Sequence, residues 1–153
     1  MSDFFVDTSA LAKRYTKEVG TRWVRSWIRP SAGNVIVISE LAMVEMFSLL
    51  ARRKHDGEIS ARSAAYLRRA FLAHLRSDYA VVKIESSILV QSRDLVTKYV
   101  AQGLRTLDAI HLACAIQSQI ALGQPLTFVS ADIKLLACAK AEGFTIDDPR
   151  LHP

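Results

Sequence analysis

Four acidic residues stand where the pattern of the chain can put them to chemical use. Asp7 follows the apolar run in "FFVDTSAL", Glu45 sits inside "AMVEMFSLLA", Asp108 follows Thr106 in "LRTLDAIHLA", and Asp132 comes just after "LTFVS" in "FVSADIKLL". Read as a helix, residues 40 to 53 place Glu45 on one stripe with Leu41, Ser48 and Leu49, and no cation lies one turn away to neutralise it. An ionised carboxylate in apolar surroundings is costly unless it is paired, hydrogen-bonded or bound to a metal. The three aspartates also have ordinary structural uses, because Asp caps helices and complements the dipole of a first turn. Gathered in one place, however, the four would repel one another and their pKa values would rise unless a cation screened them. Oxygen donors without a His or Cys cluster favour Mg²⁺ or Mn²⁺, and such an ion suits phosphodiester hydrolysis.

Thr8, Ser9 and Ser130 are placed to orient carboxylates or waters around these acids, although all three also serve as ordinary caps. His111 lies three residues after Asp108 on the same helical side, within reach of the acids, but a core histidine is the simpler reading. No GxGxxG, GxxxxGK[ST], GxSxG or HExxH motif occurs, and Ser9 stands where a haloacid-type phosphatase needs a second Asp.

These residues need a scaffold that carries them to one edge, and the hydrophobic pattern supplies one. Strands are expected at residues 4–6, 35–39, 80–84, 126–130 and, for a short fifth, 144–146. Helices are expected over residues 8–17, 21–29, 40–53, 60–77, 86–101, 106–122 and 131–142, with Ser60, Thr106 and Ser130 as N-caps. Strands separated by helices, with no hairpin signal, predict an α/β fold: a three-layer α/β/α sandwich with a central, mainly parallel sheet of four to five strands. In such sheets ligands bind at the carboxyl ends of the strands, the edge that Asp7, Asp132 and the helix of Glu45 share. Asp108 has no strand immediately before it, so the pattern does not place it.

The chain has 153 residues, half of them apolar, which predicts one domain spanning 1–153 with a real core. Its 20 Lys and Arg against 15 Asp and Glu give a net charge of +5, a modest bias toward polyanionic partners. Cys114 and Cys138 lie in Ala-rich apolar segments and read as reduced core residues. The opening carries no signal-like apolar block, and the most apolar window, 35–51, is short and holds Glu40 and Glu45. A cytoplasmic protein without a membrane span is therefore expected.

Taken in order, "FFVDTSALAKRY", "VISELAMVEMFSLLARR", "LRTLDAIHLACA" and "FVSADIKLLACAKAEGF" resemble the acidic motifs of the PIN-domain ribonucleases, above all the small VapC-type toxins of bacterial toxin–antitoxin pairs. The resemblance covers nearly the whole chain. It implies that Asp7, Glu45, Asp108 and Asp132 are the family's metal-binding quartet, with Asp7 and Asp108 as direct ligands and Glu45 and Asp132 acting partly through water. It also implies Mg²⁺- or Mn²⁺-dependent endonucleolytic cleavage of RNA, a homodimer, and inhibition by a small antitoxin. The stretch from Asp108 to Asp132 is longer than the family pattern leads one to expect, because of "QSQIALGQP".

An RNA approaching an acidic centre requires a basic rim, for which Lys13, Arg14, Lys17, Arg52, Arg53 and Lys54 are the candidates. Trp23 and Trp27 read as core or dimer packing rather than as a base-stacking platform. Two other readings fit the residues: a noncatalytic nucleic-acid-binding or scaffold module of the same fold, and a nuclease directed at DNA.

Overall fold

Residue alternation along the strands creates two cores, one on each face of the sheet. The strands are β1 (Asp3–Val6), β2 (Val35–Ser39), β3 (Ala80–Val82), β4 (Thr127–Val129) and β5 (Thr145–Asp147). In the computed structural model, which describes residues Met1 to Pro153, they pair in the order β3-β2-β1-β4-β5, every neighbour parallel. Phe5, Val37 and Phe128 point to one face, and Val6, Ile36, Ile38 and Val129 point to the other, as the period of two demands.

The first face is covered by α5 (Ser86–Lys98), α6 (Thr106–Leu122) and α7 (Ile133–Ala141), the second by α1 (Thr8–Leu11), α2 (Thr21–Trp27), α3 (Leu41–His55) and α4 (Ala61–Ser77). The expected α/β/α sandwich is thus present, with five strands. Small residues on α6, from Ala109 through Ala113, Cys114 and Ala115, are fully buried and let its backbone approach the sheet. Both cysteines are buried free thiols. Phe5 and Phe128 stack 5.3 Å apart without solvent contact, a site where truncation of either ring costs about 3–5 kcal/mol. No helix is long and apolar enough to cross a membrane.

Several elements depart from the pattern. The helix expected over 8–17 stops at Leu11 and continues only as a 3₁₀ turn to Arg14. Thr16 closes the last turn, its N–H and Oγ1 both bonding the Ala12 carbonyl, and Tyr15 turns inward to bond His74 and Tyr79. Neither Thr106 nor Ser130 caps a helix: the extended residue before α6 is Arg105, and Asp132 caps α7 by accepting from the backbone N–H of Lys134 and Leu135.

The polar tail is fixed in place. His152 stacks on Trp23 at 4.0 Å and bonds Asp147 at 2.7 Å, while Trp27 stacks on Phe4, so both tryptophans serve packing within the chain. Gly20, at φ +86°, lies so close to Pro149 that a Cβ there would fall 2.2 Å from the Pro149 carbonyl oxygen. Only glycine fits this approach.

Candidate metal centre

The direction of chain crossing reverses between β1 and β4, because β1 connects outward to β2 on one side and pairs with β4 on the other. A parallel sheet opens a crevice at such a point, beyond the carboxyl ends of its strands. Asp7 follows β1 directly, and Asp132 follows β4 after Ser130 and Ala131.

Asp7 is only 5 % exposed. It caps α1 by accepting from Ala10 N at 3.0 Å, and receives hydrogen bonds from Ser9 Oγ at 2.7 Å and Ser130 Oγ at 2.8 Å. Burial nevertheless pushes its carboxyl above the ordinary Asp range; the imidazole of His111 and these hydrogen bonds offset only part of that cost. No Lys or Arg pairs with it. The two serines also receive backbone N–H groups of the β4–α7 loop, Ala131 N to Ser9 and Asp132 N to Ser130, both at 2.9 Å, which ties the Asp7 and Asp132 segments together. Because Ser130 is not spent on capping, its hydroxyl is available for this.

Glu45 lies on the half-buried stripe it shares with Leu41 and Leu49, next to the fully buried stripe Ala42, Met46 and Leu50 of α3, and keeps 26 % of its side chain in solvent. Its Oε1 accepts from Thr8 Oγ1 at 2.8 Å and from His111 Nε2 at 2.5 Å. Burial works to raise Glu45, but these bonds, the charge of His111 and that of Arg105 outweigh it and hold the carboxyl below its usual range. Oε2 has no protein donor. His111 is therefore a buried histidine with a specific task, gripping Glu45, while its Nδ1 has no partner.

Asp108 enters from α6, which starts at the same edge after Gly103. Arg105 donates from Nε to Asp108 Oδ2 at 2.9 Å and from Nη2 to Asp132 Oδ2 at 3.1 Å. The four acids thus form one continuous chain of contacts: Glu45 to Thr8, beside Asp7; Asp7 through Ser9 and Ser130 to Asp132; and Asp132 through Arg105 to Asp108. As packed, no three His, Cys, Asp or Glu side chains meet around a single point. The donor chemistry still fits a hard cation. Asp7 is buried without a Lys or Arg partner; Glu45 fixes Oε1 with protein hydrogen bonds and leaves Oε2 without a donor; and Asp132 fixes Oδ1 on the N–H groups of α7 while its Oδ2 meets only the exposed Arg105. Mg²⁺ is commonly held by one or two carboxylates and keeps several waters, so a closed protein cage is not required.

This division of oxygens predicts the effect of Glu45→Gln. The amide oxygen can keep Thr8 and His111, but an NH₂ replaces the free acceptor. RNA cleavage should fall on the order of 10–100-fold while the melting temperature stays close to wild type, as paired kinetics and calorimetry will show. Wild-type cleavage by a folded Glu45→Gln protein would remove the residue from the site.

The basic rim is corrected at three positions. Lys13 is 3 % exposed and bonded to Glu18 at 2.9 Å; Arg14 is held by Asp78 at 2.6 Å and Tyr79; and Arg53 is held by Glu18 at 2.6 Å. Their charges are committed inside the fold. Lys17 and Arg52 are exposed, Arg52 donating to Ser48. The cations lining the acidic cleft are Arg105, Lys134 and Arg150, none of them expected, and Arg150 is clamped by Asp148. Arg105 had a visible signal, since it precedes Asp108 by one helical turn.

Comparison with known proteins places the chain in a family. Ribonuclease VapC47 of Mycobacterium tuberculosis (strain CDC 1551 / Oshkosh) is 31% identical over 147 residues, 95% of this chain and 96% of that protein. Ribonuclease VapC46 of Mycobacterium tuberculosis (strain ATCC 25618 / H37Rv) is 33% identical over 149 residues, covering 97% and 99%. Among solved structures, FitAcB from Neisseria gonorrhoeae superposes with a TM-score of 0.68 at 14% identity, over 95% of this chain and 97% of that one. Mycobacterium tuberculosis VapC20, described as a Sarcin-Ricin loop cleaving toxin, superposes with a TM-score of 0.65 at 18% identity, over 98% and 99%. Residues 4–132 match the family described as PIN domain, and the chain belongs to the PIN-domain family.

Proposed function

We propose that this protein is a divalent-metal-dependent endoribonuclease, the toxin of a toxin–antitoxin pair, and that Asp7, Glu45, Asp108 and Asp132 form its metal-binding centre. The observation that carries the reading is the buried Asp7 carboxylate, paired with no Lys or Arg and joined by a continuous run of contacts to three other acids at the switch point of the sheet. The two curated relatives, both named ribonucleases over nearly the full chain, support the substrate class. VapBC2 from Rickettsia felis and the toxin–antitoxin complex from Klebsiella pneumoniae share the fold and support a protein antitoxin as partner; a homodimer is part of the same proposal.

Mg²⁺ or Mn²⁺ supplies positive charge that offsets the charge growing on the phosphate and lowers the pKa of a water. The residues of the chain do the rest. Asp7 and Asp108 present ligand oxygens; Ser9 and Ser130 fix Asp7; Thr8 and His111 fix Glu45 so that Oε2 faces the cleft. Asp132 holds the start of α7 with Oδ1, and its Oδ2, bonded here by Arg105, is the oxygen it would present to the ion. Because Lys13, Arg14 and Arg53 are paired within the fold, substrate contact falls to Lys17, Arg52 and the cations of the acidic cleft.

The test is expression in cells with mapping of new RNA ends, beside cleavage of matched RNA and DNA by the purified protein. Discrete RNA ends with the wild type and none with Asp7→Asn are expected; DNA cut in preference to RNA would overturn the substrate assignment.

A further inference from the structure

Arg105 holds the oxygens that a divalent ion would need. Its side chain is 73 % exposed, yet its guanidinium turns inward to bond Asp108 Oδ2 and Asp132 Oδ2. On Asp132, Oδ1 is already spent on the N–H groups of Lys134 and Leu135, so Oδ2 is the oxygen left for a cation. Asp108 keeps Oδ1 without a donor, but a guanidinium cannot yield by losing its proton, so an ion that takes Asp132 Oδ2 must displace it. The displaced group cannot go far. Arg105 is the extended residue immediately before α6, and it lines the same cleft, about 520 Å³ in volume, as Ser9, Asp108, Asp132 and Lys134.

We infer that Arg105 exchanges partners: it is the internal counter-ion of Asp108 and Asp132, and once a divalent ion takes those carboxylates its planar fork turns to the scissile phosphodiester. The inference rests on the reading of this edge as a divalent-ion nuclease centre. Arginine suits both stations, because its parallel N–H donors match carboxylate and phosphate alike. Of the other two cations in the cleft, Arg150 is held by two oxygens of Asp148, and Lys134 offers a point charge without the fork. That leaves Arg105 as the group able to orient a phosphate beside the acids.

The test combines calorimetric Mn²⁺ titration of wild type, R105A and R105K with steady-state cleavage of a structured RNA at saturating Mn²⁺. An exposed pair is worth up to about fivefold in affinity, so R105A should bind Mn²⁺ by about that factor more tightly. It should nevertheless cleave RNA on the order of tenfold or more slowly, with a raised KM, because a charge-assisted phosphate contact is gone. R105K keeps the charge and loses the fork; its Mn²⁺ affinity should stay near wild type and its cleavage should fall between the other two. Tighter ion binding with slower cleavage is a pairing that a merely structural arginine would not produce. Unchanged or weaker Mn²⁺ binding by R105A overturns the competition, and wild-type cleavage by R105A overturns the phosphate contact. Absence of Mn²⁺ binding by the wild type would instead sink the divalent-ion centre, and the inference with it.

Discussion

Asp7→Asn is expected to lower RNA cleavage on the order of 10³-fold and, in buffer containing a chelator, to raise the melting temperature. Asparagine fits the space: its carbonyl oxygen can accept from Ala10 N and Ser9, and its NH₂ can donate to the Ser130 hydroxyl, which turns to receive it. The gain in stability follows from the direction of the Asp7 shift. Burial raises its folded-state pKa above the unfolded value of 3.8. Stability is then fully present below that unfolded value and is lost as pH rises through the folded pKa, so above the unfolded value the buried carboxyl is a net cost. Each kcal/mol recovered by the neutral amide should add about 3 °C in a domain of this size. Mn²⁺ should raise the melting temperature of the wild type by mass action and leave Asp7→Asn unmoved. Calorimetry with chelator and with Mn²⁺ reads both effects; an Asn variant that melts below wild type in chelator would show that Asp7 is a structural cap before it is anything else.

Asp108→Asn should lose cleavage to a similar degree, on the order of 10³-fold, with the opposite effect on stability. Asp108 lies in the first turn of α6, where its charge complements the helix dipole, and it pairs with Arg105 at 2.9 Å. The dipole contribution is about 0.3–1 kcal/mol and the exposed pair adds about 0.2–1 kcal/mol. The variant should therefore melt a few degrees lower, about 2–4 °C per kcal/mol. Two substitutions that both abolish cleavage while moving stability in opposite directions separate loss of chemistry from loss of fold. If Asp108→Asn retained wild-type cleavage, Asp108 would be reduced to a helix-dipole partner.

The same physics explains what the sequence made legible. The parallel sandwich followed from β-branched runs alternating with helical periods, and Asp7 and Asp132 could be placed because each follows a strand closely. Glu45 stood out because an apolar stretch without a neighbouring cation leaves its charge unexplained. Its partners did not show: Thr8 and His111 lie 37 and 66 residues away and meet it only through the packing of α1, α3 and α6. The position of Asp108 required the same tertiary information, since α6 is led to the edge by a loop and not by a strand.

Charge was the least legible property. Lys13 and Arg14 look like a solvated basic run, yet Arg14 finds Asp78 across 64 residues and Lys13 turns to Glu18, which the turn after α1 brings inward. Conversely, Arg105 reads as an ordinary i,i+3 partner of Asp108, and only the fold shows that it also reaches Asp132, 27 residues on. Capping was misplaced for a local reason: Ser130 and Asp132 are both good N-caps, and the serine is drawn off by the buried Asp7 carboxylate.

The most direct measurement is an anomalous difference map from crystals soaked in Mn²⁺. A single strong peak, or a close pair, is expected in the crevice bounded by Asp7, Asp108 and Asp132, with Arg105 moved off the carboxylates. Saturating Mn²⁺ that leaves this crevice without a peak, or a peak seated on acids elsewhere in the chain, would contradict the assignment of these residues as a metal centre.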